Sequence, residues 1–569
     1  MLAVFQKDLL VFWGGMVFTA ILCGNCHAQW EIRPLPARYS TGPHAARTTD
    51  SSKFLGKPTE SNDFVPQVQT LTIPSHDLLS WWIQPTSQSL NMGADTIPVD
   101  VATLMSLAAQ YSGRVEAVRQ QVWIAGTQVD QARAAFDPAL FTNSKFDSKN
   151  DPVGNTLTTG GPPRLEQDTW SLETGLRGQS SLGTSYKLSQ DLGLGNSNSV
   201  FFAPNNQGTS RLAARLEQPL LQGRRIDVNR SLILTAQLET GASEASYLIT
   251  VQKQLSDVAS AYWQLYVERA NLLQRQRHLE RASKIADDLE ARSQFDSVKS
   301  QILRARAALA TRKAELSLSV AKIKNIESRI RALLNAPGIS DRVGSEIVTV
   351  QPLALEYIHF DPNAELAVAL DRRPEIQELQ RKIDAIDVRL QLAADQTRPQ
   401  MNLLMEGYVA GLQGESDVFG AWNNQFIDGQ PGYAGGLEME MPYRNRAARA
   451  RVNQRRYEIA QYENLLRETK ANIQAEVEVA IRNSEAAYQA ILSRQASLEA
   501  VVAEVAYTED RWRALTGDAR LGQLQLDDLL NAQARLLQEE QALLVSMVEY
   551  NLALIEIQRA TGAFVQLSE

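Results

Sequence analysis

Apolar residues recur every seventh position near the C-terminal end of the chain, at Leu529, Leu536, Leu543, Tyr550 and Ile557. Read as a helix, the stripe widens through Leu530, Leu537 and Leu544, and mostly small residues (Ala532, Ser546, Ala553, Ala560) follow it by three. A strict heptad flanked by small side chains lets a partner helix approach closely and wind left-handed around it. The same stripe runs through Ile302, Leu309, Leu316, Ile323 and Ile330, since 529 − 302 = 227 and 557 − 330 = 227. Ala305 then matches Ala532, and Asn335 matches Gly562, two residue types suited to a left-handed helix cap. A constant offset along a whole helix predicts an internal duplication.

Each half follows one grammar. Residues 101–136 predict a helix stopped by Phe136-Asp137-Pro138. The period then falls to two: Trp170, Leu172, Thr174 and Leu176 alternate with Ser171, Glu173 and Arg177. It resumes at Leu182, Thr184, Tyr186 and Leu188, and again where Leu212, Ala214 and Leu216 alternate with Arg211, Arg215 and Glu217. Such strands, apolar on one face and charged on the other, suit a soluble sheet or a membrane barrel. Pro219 ends them, and a helix over 227–292, roughly 100 Å at 1.5 Å per residue, leads through a tight turn at 293–297 into the first heptad helix. Residues 338–362 read as an irregular connector.

The second copy opens a helix at Ala369-Leu-Asp-Arg-Arg-Pro-Glu375 that ends before Pro399. Strands follow at 401–412 and 433–441, where Leu437 and Met439 alternate with Glu438 and Glu440, and a long helix covers 447–515. The offsets 399 − 138 = 261 and 442 − 219 = 223 differ by about forty residues, which places longer loops in the first copy, around 152–163 and 193–208. Each copy is thus expected to run helix, strand, strand, helix, helix. Four strands do not close a barrel by themselves, so a barrel needs several chains.

Composition adds a frame. Long tracts rich in Ala, Leu, Gln, Arg and Glu fit coiled helices, and a net charge of −8 gives no support to nucleic-acid binding. Lys7, an apolar run over 9–22 and Cys26-His27-Ala28 predict an export signal over 1–28, whose removal would take both Cys23 and Cys26. Residues 29–97, rich in Pro, Ser and Thr, predict a mostly disordered extension with a short helix near 78–83. The five histidines make no metal spacing, and no nucleophile has a base beside it. Gly193-Leu-Gly195 reads as a loop. Asp527-Asp528 and Glu539-Glu540 read as solvated helix faces, and Arg224-Arg225 and Arg372-Arg373 as surface charge at helix starts. No enzyme and no cofactor is expected.

The residues resemble a family, the outer-membrane efflux factors typified by TolC. The resemblance rests on Ala369-Leu-Asp-Arg-Arg-Pro-Glu375, Gln218-Pro219-Leu220, Val258-Ala-Ser-Ala-Tyr-Trp263, and Gly522-Gln-Leu-Gln-Leu-Asp-Asp-Leu-Leu-Asn-Ala532 with Tyr550-Asn551 and Ala560-Thr561-Gly562. It covers about residues 98–565, with copies at 98–337 and 363–565. It implies a mainly α chain with a membrane β-barrel part: a homotrimer whose twelve strands form one outer-membrane barrel, continued by a coiled α-helical tunnel across the periplasm. It further implies a passive exit duct served by a periplasmic adaptor and an inner-membrane pump, in efflux or type I secretion. The alternative from the residues alone is an exported coiled-coil scaffold.

In such a barrel the alternation turns Glu173, Arg177, Arg211, Arg215, Glu438 and Glu440 to the lumen, and Trp170, Leu172, Leu176, Leu437 and Met439 to lipid. By resemblance, the position four before the motif alanine, Asp528, belongs to the periplasmic gate. Asp527 lies beside it, and Asn531 fills a second site that is acidic in the family. Adaptor contacts fall at the tip, on Gly517, Asp518, Arg520, Leu521, Gly522, Ser293 and Gln294. The sequence departs from the family at Gln301, where an acidic residue is common, and at the tip over 512–523, which is longer than the usual turn.

Overall fold

The structure, a computed structural model, describes residues 80–93, 95–291, 299–514 and 519–564. The expected export signal and most of the extension lie outside these residues.

Helices α1 (Val101–Tyr111) and α2 (Gly113–Arg133) open the first copy, and α3 (Ser231–Ala291) and α4 (Lys299–Leu334) close it. In the second copy the corresponding helices are α5 (Pro362–Arg372), α6 (Pro374–Asp395), α8 (Arg446–Ala514) and α9 (Ala519–Ala560). The single helix expected over 101–136 is broken at Ser112, whose φ of −63° and ψ of 121° are extended. Arg373 breaks the second copy in the same conformation, at 373 − 112 = 261, the offset already given by the two prolines. There Pro374 disfavours helix in the residue before it. The Ala369–Glu375 motif therefore ends one helix and begins another. Asn335 and Gly562 both have positive φ, at 51° and 75°, as left-handed caps to α4 and α9.

Six strands form one antiparallel sheet in the order β2-β3-β4-β5-β7-β8: β2 (Ala139–Pro152), β3 (Arg164–Gln179), β4 (Ser185–Ser197), β5 (Gln207–Pro219), β7 (Gln400–Gln413) and β8 (Gly432–Glu440). This corrects the expectation of two strands per copy, and with it the twelve strands counted for a trimer. The extra residues of the first half build two more strands as well as the expected loops, which span 153–163 and 198–206, and Gly193-Leu-Gly195 lies inside β4 instead of in a loop. The pattern hid β2 because its apolar-side positions, Leu140, Thr142, Ser144 and Phe146, are only half apolar. Helix α7 (Val418–Ile427) interrupts the β7–β8 connection and packs back on the sheet.

α3 is the hub, packing against α1, α2, α4, α6 and α9. Its Tyr262, Trp263, Leu265 and Tyr266 are buried with Ile323 and Ile330 of α4 and Leu543, Met547 and Tyr550 of α9. The α9 stripe is buried along its whole length. The α4 stripe is only half-buried from Ile302 to Leu316, since α9 packs closely on both α3 and α8 whereas α4 packs chiefly on α3.

The described end of the extension, from residue 80, and the connector are more ordered than expected. The extension's described residues carry a buried Trp82, a single helical turn at Ile83–Thr86 and the first half of β1 (Thr96–Val99). β1 pairs in parallel with β6 (Glu346–Thr349) from the connector. A buried ion pair fastens them: Arg269 Nη1 of α3 lies 2.6 Å from Glu346 Oε1, both side chains fully buried. Arg269 also donates to the carbonyls of Thr86, Gln88 and Ile347, while Glu346 accepts from Ser89 Oγ and from the backbone N–H of Leu90 and Met92. Order here comes from long-range partners, which local composition does not reveal.

Burial alone would raise the Glu346 carboxyl, but the Leu90 N–H and Arg269 outweigh it and hold it below its ordinary 4.5. The clamp is thus fully engaged above that value and weakens as pH falls through the lower, folded value. Removing one partner of a buried pair costs roughly 3–5 kcal/mol. Glu346→Ala is expected to speed hydrogen exchange at the Leu90 and Met92 amides by about 100-fold, read by mass spectrometry of peptides spanning 84–95. Unchanged exchange there would show that the strand pairing alone holds the segment.

A two-faced sheet and the tip of the helices

Directly opposed residues of neighbouring strands share a face, so the register sorts every side chain of the sheet. One row runs Asn143, Glu173, Asp191, Arg211, Ala410. Stepping by two along the strands adds Arg177, Lys187, Arg215, Glu406, Glu438 and Glu440 to the same face. Glu406 bridges Arg211 at 2.7 Å and Arg215 at 3.1 Å, and Glu173 pairs with Lys187. Arg211 stacks over Tyr408 at 3.7 Å, and Arg177 and Lys187 lie over Phe141 at 5.4 and 4.9 Å. The charges of this face thus neutralise one another across strands.

The adjacent row runs Ser144, Leu172, Leu192, Ser210, Gly411. Trp170, Leu176, Leu188, Leu194, Leu212, Leu216, Leu437 and Met439 share its face. All six residues read from the sequence as charged-side and all five read as apolar-side therefore separate onto opposite faces. β7 alternates least, with Leu404 and Leu412 on the charged face. Leu140, Phe146, Leu437 and Met439 are 85%, 66%, 67% and 63% exposed, so this face is apolar yet largely uncovered.

At the tip, Leu526 and Leu529 of α9 are buried against Ile285, Leu289 and Ala305. That burial turns the charged positions outward or sideways. Asp528 and Asn531, three apart on α9, are both exposed on one face. Asp527 points instead to α4, where its carboxylate lies 2.7 Å from Arg304 Nε as an ion pair. Gly522 lies against Gln301, whose Nε2 is 3.0 Å from where a Cβ on Gly522 would stand. Ser293, Gln294, Gly517 and Asp518 lie outside the described residues. Of Arg520 and Leu521 the structure describes only the backbone, in the first turn of α9.

Two sequence readings are overturned. Glu540 is buried, not solvated: it accepts from Trp81 Nε1 at 2.9 Å, and burial raises its carboxyl. Arg373 is also buried, donating to the Ala560 carbonyl and pairing with Glu375 and Glu476, so it knots α6, α8 and the end of α9. A charged pair read along one helix gives no sign of such cross-helix partners.

Beside Glu540 the α3–α4–α9 seam holds a buried polar layer that the heptad did not announce. His278 is held neutral, its imidazole pushed down to about 3 by burial and by Arg312 and Arg281. The His278 carbonyl and Gln533 both accept from Arg312. Among the described residues no group of His, Cys, Asp and Glu could hold a metal, and no helix is long and apolar enough to cross a membrane.

No family model and no curated protein sequence matches the chain. Solved structures do. The CmeC outer membrane channel of Campylobacter jejuni aligns at TM-score 0.59 and 14% identity, over 82% of this chain and 87% of that one. The outer membrane protein VceC of Vibrio cholerae aligns at 0.57 and 16%, over 81% and 96%. The open MtrE outer membrane channel of Neisseria gonorrhoeae aligns at 0.55 and 15%, over 81% and 88%. With its two-faced sheet set on long paired helices, the chain has the fold of the outer-membrane channels, the fold that its resemblance to the TolC family implied.

Proposed function

We propose that the chain is one subunit of a passive outer-membrane exit duct in the TolC family, exported by a signal over residues 1–28. Its sheet joins those of two further copies in a barrel, and its helices continue as a tunnel through the periplasm. Residues 98–337 and 363–565 act as two copies of one unit joined by the connector 338–362. The carrying observation is the sheet: one charged face, one apolar and largely uncovered face, and two free edges among the described residues. In lipid, unpaired backbone groups of an edge strand cost several kcal/mol each, so only closure is tolerated. β2 and β8 run in opposite directions, so β8 of one copy can continue antiparallel into β2 of the next. Three copies then give 3 × 6 = 18 strands, an even number as barrels of this type require.

The fold supports service to a tripartite efflux or type I secretion system. The tip residues Gly517, Asp518, Arg520, Leu521, Gly522, Ser293 and Gln294 are the surface offered to a periplasmic adaptor, behind which stands an inner-membrane pump. Asp528, exposed on α9, is the gate carboxylate, with Asn531 as its uncharged neighbour. Asp527 is a brace to Arg304 instead of a free charge. An exported scaffold fits less well, because it leaves the apolar face without a core to cover it.

Three copies of Asp528 near a common axis form a ring that favours cations. In planar bilayers, Asp528→Ala is expected to lower the cation-over-anion permeability ratio by at least about two-fold, and Asn531→Asp to raise it. An unchanged ratio in a variant shown to be trimeric would place the constriction elsewhere. For the duct itself, carbonate-washed membranes should retain the protein, and detergent should release a trimer. Cysteines at Arg215 and Glu438 should react with a charged, water-soluble thiol reagent at least about ten times faster than cysteines at Leu437 and Met439. A salt-extractable monomer, or equal labelling of both sets, would favour the scaffold.

A further inference from the structure

α7 lies on the wrong face for a loop helix that only caps a pore. It packs across β5, β7 and β4, and its contacts on them, Gly208, Ser210, Gly411 and Gln190, belong to the same face as Leu172, Leu212 and Leu437. The seat is built for it. A Cβ at Gly411 would stand 2.1 Å from the Ala421 carbonyl, and one at Gly208 would stand 2.5 Å from the Asp417 carbonyl, so glycine alone admits the helix backbone there. Gln425 is fully buried; its Oε1 accepts from Ser210 Oγ at 3.0 Å and its Nε2 donates to Gln190 Oε1 at 3.3 Å. Ser210 and Gln190, two polar residues beside Leu188, Leu192 and Leu212 on this face, are thereby explained: they hold α7.

The two flanks of α7 differ. Asn424 Nδ2 donates to Gln413 Oε1 at 2.9 Å, and Gln413 is the last residue of β7, at the end of the sheet far from the long helices. Trp422 and Phe426 each stand two residues from Asn424, hence about 200° around the helix, on the flank toward the middle of the strands. Their rings meet edge to face at 5.5 Å and are 46% and 56% exposed. The charged residues, Asp417 and Asp428, flank the helix and do not interrupt it.

We infer that α7 is a membrane-surface anchor on the outside of the barrel, with its Trp422–Phe426 flank in the headgroup–acyl boundary of the outer leaflet and its Asn424 flank in the headgroups. The inference rests on the reading of the apolar sheet face as lipid-facing, and α7 continues that face outward. A Trp-bearing, amphipathic helix at the end of a hydrophobic band occupies the level where aromatic belts and interfacial helices lie. Lipid is the occupant because the flank opens along the apolar face, whereas neighbouring copies join at the strand edges.

The test uses the exported trimer, free of Cys23 and Cys26 once the signal is removed, in phosphatidylcholine–phosphatidylethanolamine vesicles. A bimane probe is placed singly at Trp422→Cys, Phe426→Cys, Asn424→Cys and Leu437→Cys, then quenched by aqueous iodide or by lipids carrying a shallow or deep nitroxide. Shallow nitroxide should quench the probes at 422 and 426 at least about three-fold more than iodide, with the reverse at 424, while 437 responds to nitroxide alone. Lipid quenching at 437 with iodide quenching at 422 and 426 would overturn the anchor and leave the barrel intact. Protection of both from every quencher would also overturn it, showing that protein covers the flank. Iodide quenching at 437 would remove the lipid-facing reading itself.

Discussion

The fully buried pair of Arg269 and Glu346 is the interaction on which the middle of this protein depends. Two charges removed from water are costly, and the pair is tolerable because its remaining hydrogen-bonding capacity is used. Arg269 reaches three carbonyls and Glu346 reaches two amides and a hydroxyl. Those partners come from the segment before β1 and from β6, so satisfying one charge on α3 folds two otherwise featureless stretches around it. Tyr262 adds to the same joint by accepting the Gln351 N–H. In the other copy Tyr550 accepts the Ile358 N–H and donates to the Glu356 carbonyl. The connector between the copies is thus held at both ends by side chains of the heptad helices or of the hub.

The sheet obeys a different constraint. Its charged face is internally paired, with Glu406 between Arg211 and Arg215 and Glu173 on Lys187, so a polar wall is presented without a large net field. Its apolar face has no core opposite it apart from α7. A face of that kind is stable only against lipid or against other protein, and the two free edges require continuation of the sheet. In the duct proposed above, closing several copies into a barrel would meet these two needs together.

Sequence reasoning went furthest where a repeat is local and long. The heptad stripes, the 227-residue offset, the left-handed caps at Asn335 and Gly562, and the opposition of Glu173, Arg211 and Glu438 to Leu172 and Leu437 all follow from periodicity, because helix and strand geometry fixes which residues share a face. It failed where a segment draws its order from far away. β2 has too few apolar positions to announce itself, and it forms because β3 pairs with it along its whole length. β1 and β6 are four residues each and exist only as partners. Glu540 and Arg373 look like solvated charges on their own helices, and neighbouring helices bury them.

What the sequence by itself determined is the period of each stretch, the 227-residue offset between the two heptad stripes, and the identity of the side chains on each face. Those properties depend on bonds and on neighbours within a few residues. Only the tertiary structure decided that the first copy has four strands, that Asp527 turns to Arg304 while Asp528 stays exposed, and that α7 folds back on the apolar face. The physical reason is common to all three. Each depends on which distant group satisfies a hydrogen-bonding or charged atom, and that choice is made by packing, after the local pattern has had its say.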